Sequence, residues 1–93
     1  MADWQYRQSY IQLKHGTFPL WAEEALHDEQ AIILDPDPAS KSGKSIRTIG
    51  WSTSAGCLLT VITVVDEGIE FGVNCWKSSS RDKRIYGFPP QEG

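Results

Sequence analysis

Cys57-Leu58-Leu59-Thr60-Val61-Ile62-Thr63-Val64-Val65-Asp66-Glu67-Gly68-Ile69-Glu70-Phe71-Gly72-Val73-Asn74-Cys75-Trp76 is the stretch whose reading decides the fold. Two runs rich in β-branched and aromatic residues flank Asp66-Glu67-Gly68, which predicts two central strands joined by a tight turn. Setting Val65 opposite Ile69 across a three-residue loop places Cys57 opposite Lys77 and Cys75 opposite Leu59. The cysteines then sit diagonally rather than face to face, and both read as free buried thiols.

Upstream, Ile46 to Ser52 reads as a strand with Arg47, Ile49 and Trp51 on one face. Residues 35 to 45 read as an exposed loop, and Ala31 to Leu34 as a short first strand ended by Asp35-Pro36-Asp37-Pro38. Before them, Trp4 to Lys14 has helical apolar spacing and is closed by His15-Gly16. A second helix starts at Pro19, with Thr17 as the nearest cap, and runs to about His27. On it Leu20, Trp21, Ala25 and Leu26 are expected to face inward and Glu23 and Glu24 to face solvent. Downstream, one of Ser78, Ser79 or Ser80 caps a closing helix that Gly87 stops. The expected architecture is α+β, with two N-terminal helices, a four-stranded antiparallel meander and a short C-terminal helix. Residues 1–87 would form a single domain and 88–93 a tail.

Ninety-three residues suffice for one modest core. The apolar run from Cys57 to Val65 is far shorter than the ~20 residues a membrane helix needs. Met1 to Arg7 lacks the cationic start and apolar centre of a signal peptide, so the expected location is the cytoplasm, without membrane contact. The net charge of -3 is uneven. Residues 1–38 carry seven acids against Arg7 and Lys14, whereas residues 39–65 carry Lys41, Lys44 and Arg47 with no acid. Lys77, Arg81, Lys83 and Arg84 follow the hairpin. Binding of nucleic acid by bulk charge is excluded, but a local basic surface forms if the two positive segments meet.

Two histidines and two cysteines at these spacings give no metal-binding motif, and no cofactor is implied. Gly43-Lys44-Ser45 resembles the end of a P-loop but lacks the earlier glycine, and Ile46 begins a strand where a helix is needed. What survives is a cationic set comprising His15, Arg47, Lys77, Arg81 and Arg84. RNA cleavage by its own 2′-hydroxyl needs a group to take that proton, cations to stabilise the phosphorane and a donor to the leaving oxygen. Arg and Lys meet the second need; His15 or Tyr86 meets the others. The plain alternative leaves Arg81 and Arg84 solvated or pairs them with Asp82 and Glu70, and leaves His15 as a helix end.

Lys14-His15-Gly16, Ala22-Glu23-Glu24-Ala25-Leu26, Arg47 three residues before Gly50, Gly56 to Val61, and Trp76-Lys77-Ser78-Ser79-Ser80-Arg81-Asp82-Lys83-Arg84-Ile85-Tyr86 stand in an order that resembles the BrnT family of type II toxins. The resemblance spans residues 13–86. It implies a RelE-like fold and a metal-independent endoribonuclease that inhibits translation in a bacterial or phage setting. It also implies neutralisation by a cognate antitoxin, a ribbon-helix-helix or similar protein that alone contacts operator DNA. On that reading His15, Arg47, Lys77, Arg81 and Tyr86 are catalytic, and Lys14, Arg47, Lys77, Arg81 and Arg84 bind RNA phosphates. Two features depart from the family. Met1 to Arg7 does not resemble the family's opening strand, and Cys75-Trp76-Lys77 stands where an Ala-Arg-Lys phrase is usual. The second function class is a non-catalytic protein-binding module of phage or mobile-element origin, anchored by Trp51 and Trp76.

Overall fold

The computed structural model describes residues 1–87; the expected tail, 88–93, lies outside them. Two helices, α1 (Gln8–His15) and α2 (Pro19–Leu26), precede four strands, β1 (Ile32–Leu34), β2 (Ile46–Ser52), β3 (Cys57–Asp66) and β4 (Ile69–Lys77), and a closing helix, α3 (Ser80–Tyr86). The sheet is an antiparallel meander in the order β1-β2-β3-β4. The expected α+β architecture is therefore present. Among the described residues no helix is long and apolar enough to cross a membrane.

The central hairpin is tighter than its sequence reading. Asp66 pairs with Ile69 across a two-residue turn in which Glu67 and Gly68 both have positive φ, 51° and 80°. Such turns twist with the strands they join. A bulge then falls between Ile62 and Thr63, shifting the register so that Cys75 lies opposite Val61 and not Leu59. Cys57 pairs with Ser52 on β2. Both thiols are free, and burial pushes that of Cys75 up to about 12.

α1 and α2 cover one face of this sheet. Ile11 of α1 and Ala22 and Ala25 of α2 meet Leu59, Val61 and Cys75, with Ala2 and Trp4 completing the core. β2 accepts α2 at contact because residue 50 is glycine: a Cβ there would overlap the Ala25 carbonyl. Gly72 likewise makes room on β4 for the Trp4 indole.

α1 starts at Gln8, four residues later than its periodicity suggests. The preceding segment is held by the sheet: Asp3 bridges Phe71 in parallel, with Asp3 N–H donating to the Glu70 carbonyl and Gly72 N–H to the Asp3 carbonyl. A one-bridge strand thus occupies the N-terminus that had no strand signature. α2 departs in its faces. Leu20 is exposed, whereas Glu23 is buried, its Oε2 accepting from Ala2 N–H and Trp4 Nε1–H at 3.0 Å each. Thr17 does not cap α2; its hydroxyl donates to the Cys75 carbonyl at 2.8 Å and ties the interhelical turn to β4.

Candidate functional site

The sequence candidates fall in three places around β2, β4 and α3. At the edge of β4, Lys14 and His15 from the last turn of α1 meet Asn74, Trp76 and Lys77, with Tyr10 behind them, around a groove of about 680 Å³. Gly16 closes α1 in the left-handed conformation at φ 67°, which leaves His15 at the helix end facing the strand. The His15 ring lies 5.8 Å from the Trp76 ring and 6.1 Å from that of Tyr10. Lys14 and Lys77 are exposed, so this groove carries two solvated ammoniums, an imidazole and two aromatic faces.

Arg47 and Arg81 line a separate cleft of about 330 Å³ between the residue 35–45 loop and α3. Here the guanidinium of Arg47 is already matched. Its Nη1 donates to Asp82 Oδ2 at 2.7 Å and its Nε to Asp37 Oδ1 at 3.0 Å. Its side chain is only 17% exposed. Two carboxylates on one guanidinium leave no excess positive charge for a phosphate at this point. Asp82 also accepts from the Thr60 hydroxyl at 2.7 Å; because that hydroxyl has one proton, Ser78 donates to Thr60 in turn at 2.8 Å. The pairing of Asp82 with Arg81 or Arg84, expected from proximity in sequence, gives way to Arg47 because Asp82 lies on the buried face of α3 while Arg81 and Arg84 are exposed.

Trp76 links the two places. Its ring is 5.6 Å from Arg47 Cζ as well as beside His15. The indole therefore lies beside both the imidazole and the guanidinium.

Tyr86 belongs to neither cleft. Its hydroxyl donates to Asp28 Oδ2 at 2.7 Å, and the same oxygen accepts Trp51 N–H at 2.8 Å. Trp51 is four residues from Arg47, roughly 13 Å along β2. Burial, then the hydrogen bond to Asp28 and its charge, push the phenol up to about 12, opposite to what a proton-transfer group needs. Burial of Asp28 works against its ionisation. Even so, hydrogen bonds from Tyr86, Gln30 and Trp51 hold its carboxyl below the usual range.

Sequence reading missed Asp37 and Asp82 as partners of Arg47. Asp37 was assigned to an exposed loop but is buried, because its N–H donates to the Ser45 carbonyl and folds that loop onto itself. One local signal for Asp82 was present: an acid three residues after the Ser79 cap, whose Oγ accepts Asp82 N–H. Asn74 and Tyr10 had no signal, since β4 and α1 meet only in the fold. No family model matches the chain, and no curated protein matches it. Among the described residues no three or more His, Cys, Asp or Glu side chains are placed to hold a metal ion.

Proposed function

We propose that this chain is a BrnT-like endoribonuclease toxin, acting without a metal in the cytoplasm, whose working surface is the groove between the end of α1 and the edge of β4. The observation that carries this reading is the meeting of Lys14, His15 and Lys77, which are up to 63 residues apart, around Trp76 and Tyr10. Imidazole changes charge near neutral pH, and ammoniums and aromatic faces are what a single RNA strand needs for its phosphates and bases. The bridge of Asp3 to Phe71 adds support, because it supplies the sheet-paired N-terminus that the resemblance implies.

In the proposed reaction His15 removes the 2′-hydroxyl proton and the 2′-oxygen attacks phosphorus. Lys14 and Lys77 stabilise the phosphorane. The bond to the 5′-oxygen breaks, leaving a 2′,3′-cyclic phosphate; an ammonium protonates the departing oxygen and regains its proton from solvent, to which His15 releases the one it took. Arg47 and Tyr86 take structural parts, and Arg81 and Arg84 extend the basic surface along α3. A cognate antitoxin would cover the groove and would alone contact operator DNA.

The test is induction in a bacterial host together with cleavage of RNA by the purified protein in chelator. Growth arrest and cleavage are expected, with His15→Gln reducing cleavage by ~100-fold or more and leaving the circular dichroism spectrum unchanged. Harmless induction combined with intact RNA would overturn the enzymatic reading. One observation favours the second function class: the neutralisation of Arg47 beside Trp76. The register puts Trp51 and Trp76 on the same face of the sheet, opposite Leu58 and Thr60, so a protein partner would find two aromatic anchors there.

A further inference from the structure

The cleft between the residue 35–45 loop and α3 holds more hydrogen-bonding capacity than its ion pairs use. Asp37 Oδ1 accepts from Arg47 Nε and from the Ala39 N–H, and Asp82 Oδ2 accepts from Arg47 Nη1 and the Thr60 hydroxyl. Among the described residues nothing donates to Asp37 Oδ2 or Asp82 Oδ1, and Arg47 Nη2 has no acceptor. The side-chain atoms sealed from water without a partner are two others, Glu23 Oε1 and Thr63 Oγ1. The three free groups around the guanidinium therefore reach solvent, although the side chains of Asp37, Asp82 and Arg47 are only 7%, 3% and 17% exposed.

All three residues line the cleft of about 330 Å³, and none of them lines the groove at β4 or the acidic cavity beside Glu23, Asp35 and Glu70. The rest of the lining defines what fits. Leu34, Pro38, Ala39 and Ile85 give apolar walls. The charged lining residues cancel, Arg47 and Arg81 against Asp37 and Asp82, so the cleft suits a neutral group better than an ion. Two open acceptors and one open donor between apolar walls call for a flat ring with two N–H donors and one acceptor. Among the four RNA bases, guanine alone carries these on one edge, at N1, N2 and O6; adenine and cytosine offer one amino group there and uracil one N–H.

We propose that this cleft binds a guanine base, whose N1–H and N2–H donate to the free oxygens of Asp37 and Asp82 and whose O6 accepts from Arg47 Nη2. The base uses only the vacant positions, so both ion pairs that hold the loop and α3 stay intact. Its hydrogen bonds are all to ionised partners, which makes them the strong kind. Arg81 is exposed on the same cleft with no partner among the described residues and meets the phosphate of the same nucleotide. That nucleotide is either free or part of a single RNA strand, and its binding does not depend on cleavage in the groove.

The experiment titrates guanosine 5′-monophosphate into the isotope-labelled full chain, with the adenosine, cytidine, uridine and inosine monophosphates and sodium phosphate as comparisons. The readouts are the Arg47 Nε–H, the Ala39 amide and the Asp82 amide. Saturable shifts confined to the cleft are expected with the guanosine nucleotide. Inosine monophosphate lacks the 2-amino group and should bind about tenfold more weakly, the equivalent of one charge-assisted hydrogen bond. Asp37→Asn presents an amide where the free carboxylate oxygen stood, and should erase the preference for guanosine over inosine. Equal affinity for all five nucleotides, shifts matched by sodium phosphate, or an unchanged preference in Asp37→Asn overturns the proposal. If Asp37→Asn does not fold, Arg81→Ala decides: weaker binding of the nucleotide with the guanosine preference kept is expected, and unchanged affinity overturns the site. A fully 2′-O-methylated strand, UUUGUUU, cannot be cleaved and separates the two sources. Binding tighter than that of the mononucleotide assigns the cleft to a base of an RNA strand; equal or weaker binding assigns it to the free nucleotide.

Discussion

Tyr86 and Asp28 form the pair whose chemistry departs furthest from that of free side chains. In wild type minus Tyr86→Phe difference absorbance, the phenolate should rise with a midpoint near 12 rather than the usual ~10. Because the folded value is the higher one, the pair's stabilisation is whole below the unfolded value of ~10 and fades as pH climbs through 12. Asp28 has the opposite sign. Its carboxyl is held low in the folded chain, so its contribution is present above the unfolded value of ~4 and is lost as pH falls through the folded one. Denaturant midpoints measured across the acid range should fall in the wild type, and this part of the fall should be missing in Asp28→Asn. At the same scale, the readable part of Tyr86 was its place near a helix end, whereas its partner lies 58 residues away.

α3 is short, and two features attach it: the Ser79 cap at its start and Asp82 on its inner face. Asp82→Ala removes the acceptor for Thr60 and for Arg47 Nη1 together, leaving a largely buried guanidinium with Asp37 alone. Chemical denaturation should show a loss of ~3 kcal/mol, and less for Asp82→Asn, which keeps an acceptor oxygen. The union of α2 with β2 depends on a missing side chain. Gly50→Ala would drive a methyl group into the Ala25 carbonyl, and a loss of roughly 1–3 kcal/mol is expected in the same measurement, with the helix displaced. Elements of this kind were legible where their signals are local. Pro19 starts α2 and Gly16 and Gly87 end α1 and α3 as their backbone preferences require. The start of α1 was misplaced because its apolar spacing continues back through Trp4, and only the pairing of Asp3 with β4 withdraws that segment from the helix.

Over the whole molecule, the meander and its flanking helices place one groove, one carboxylate-filled cleft and one acidic cavity at separate points of the surface. The sequence by itself determined the element types, their order and the antiparallel hairpin, because period-two alternation, turn residues and helix ends act over a few residues. It also carried the cationic residues and the family resemblance. Only the tertiary structure decided which charges remain available. Arg47 is spent on acids 10 and 35 positions away, Tyr86 on one 58 away, and Lys14 and Lys77 stay solvated beside His15. The physical reason is that an ion pair forms wherever packing brings opposite charges together out of water, and chain distance places no limit on that.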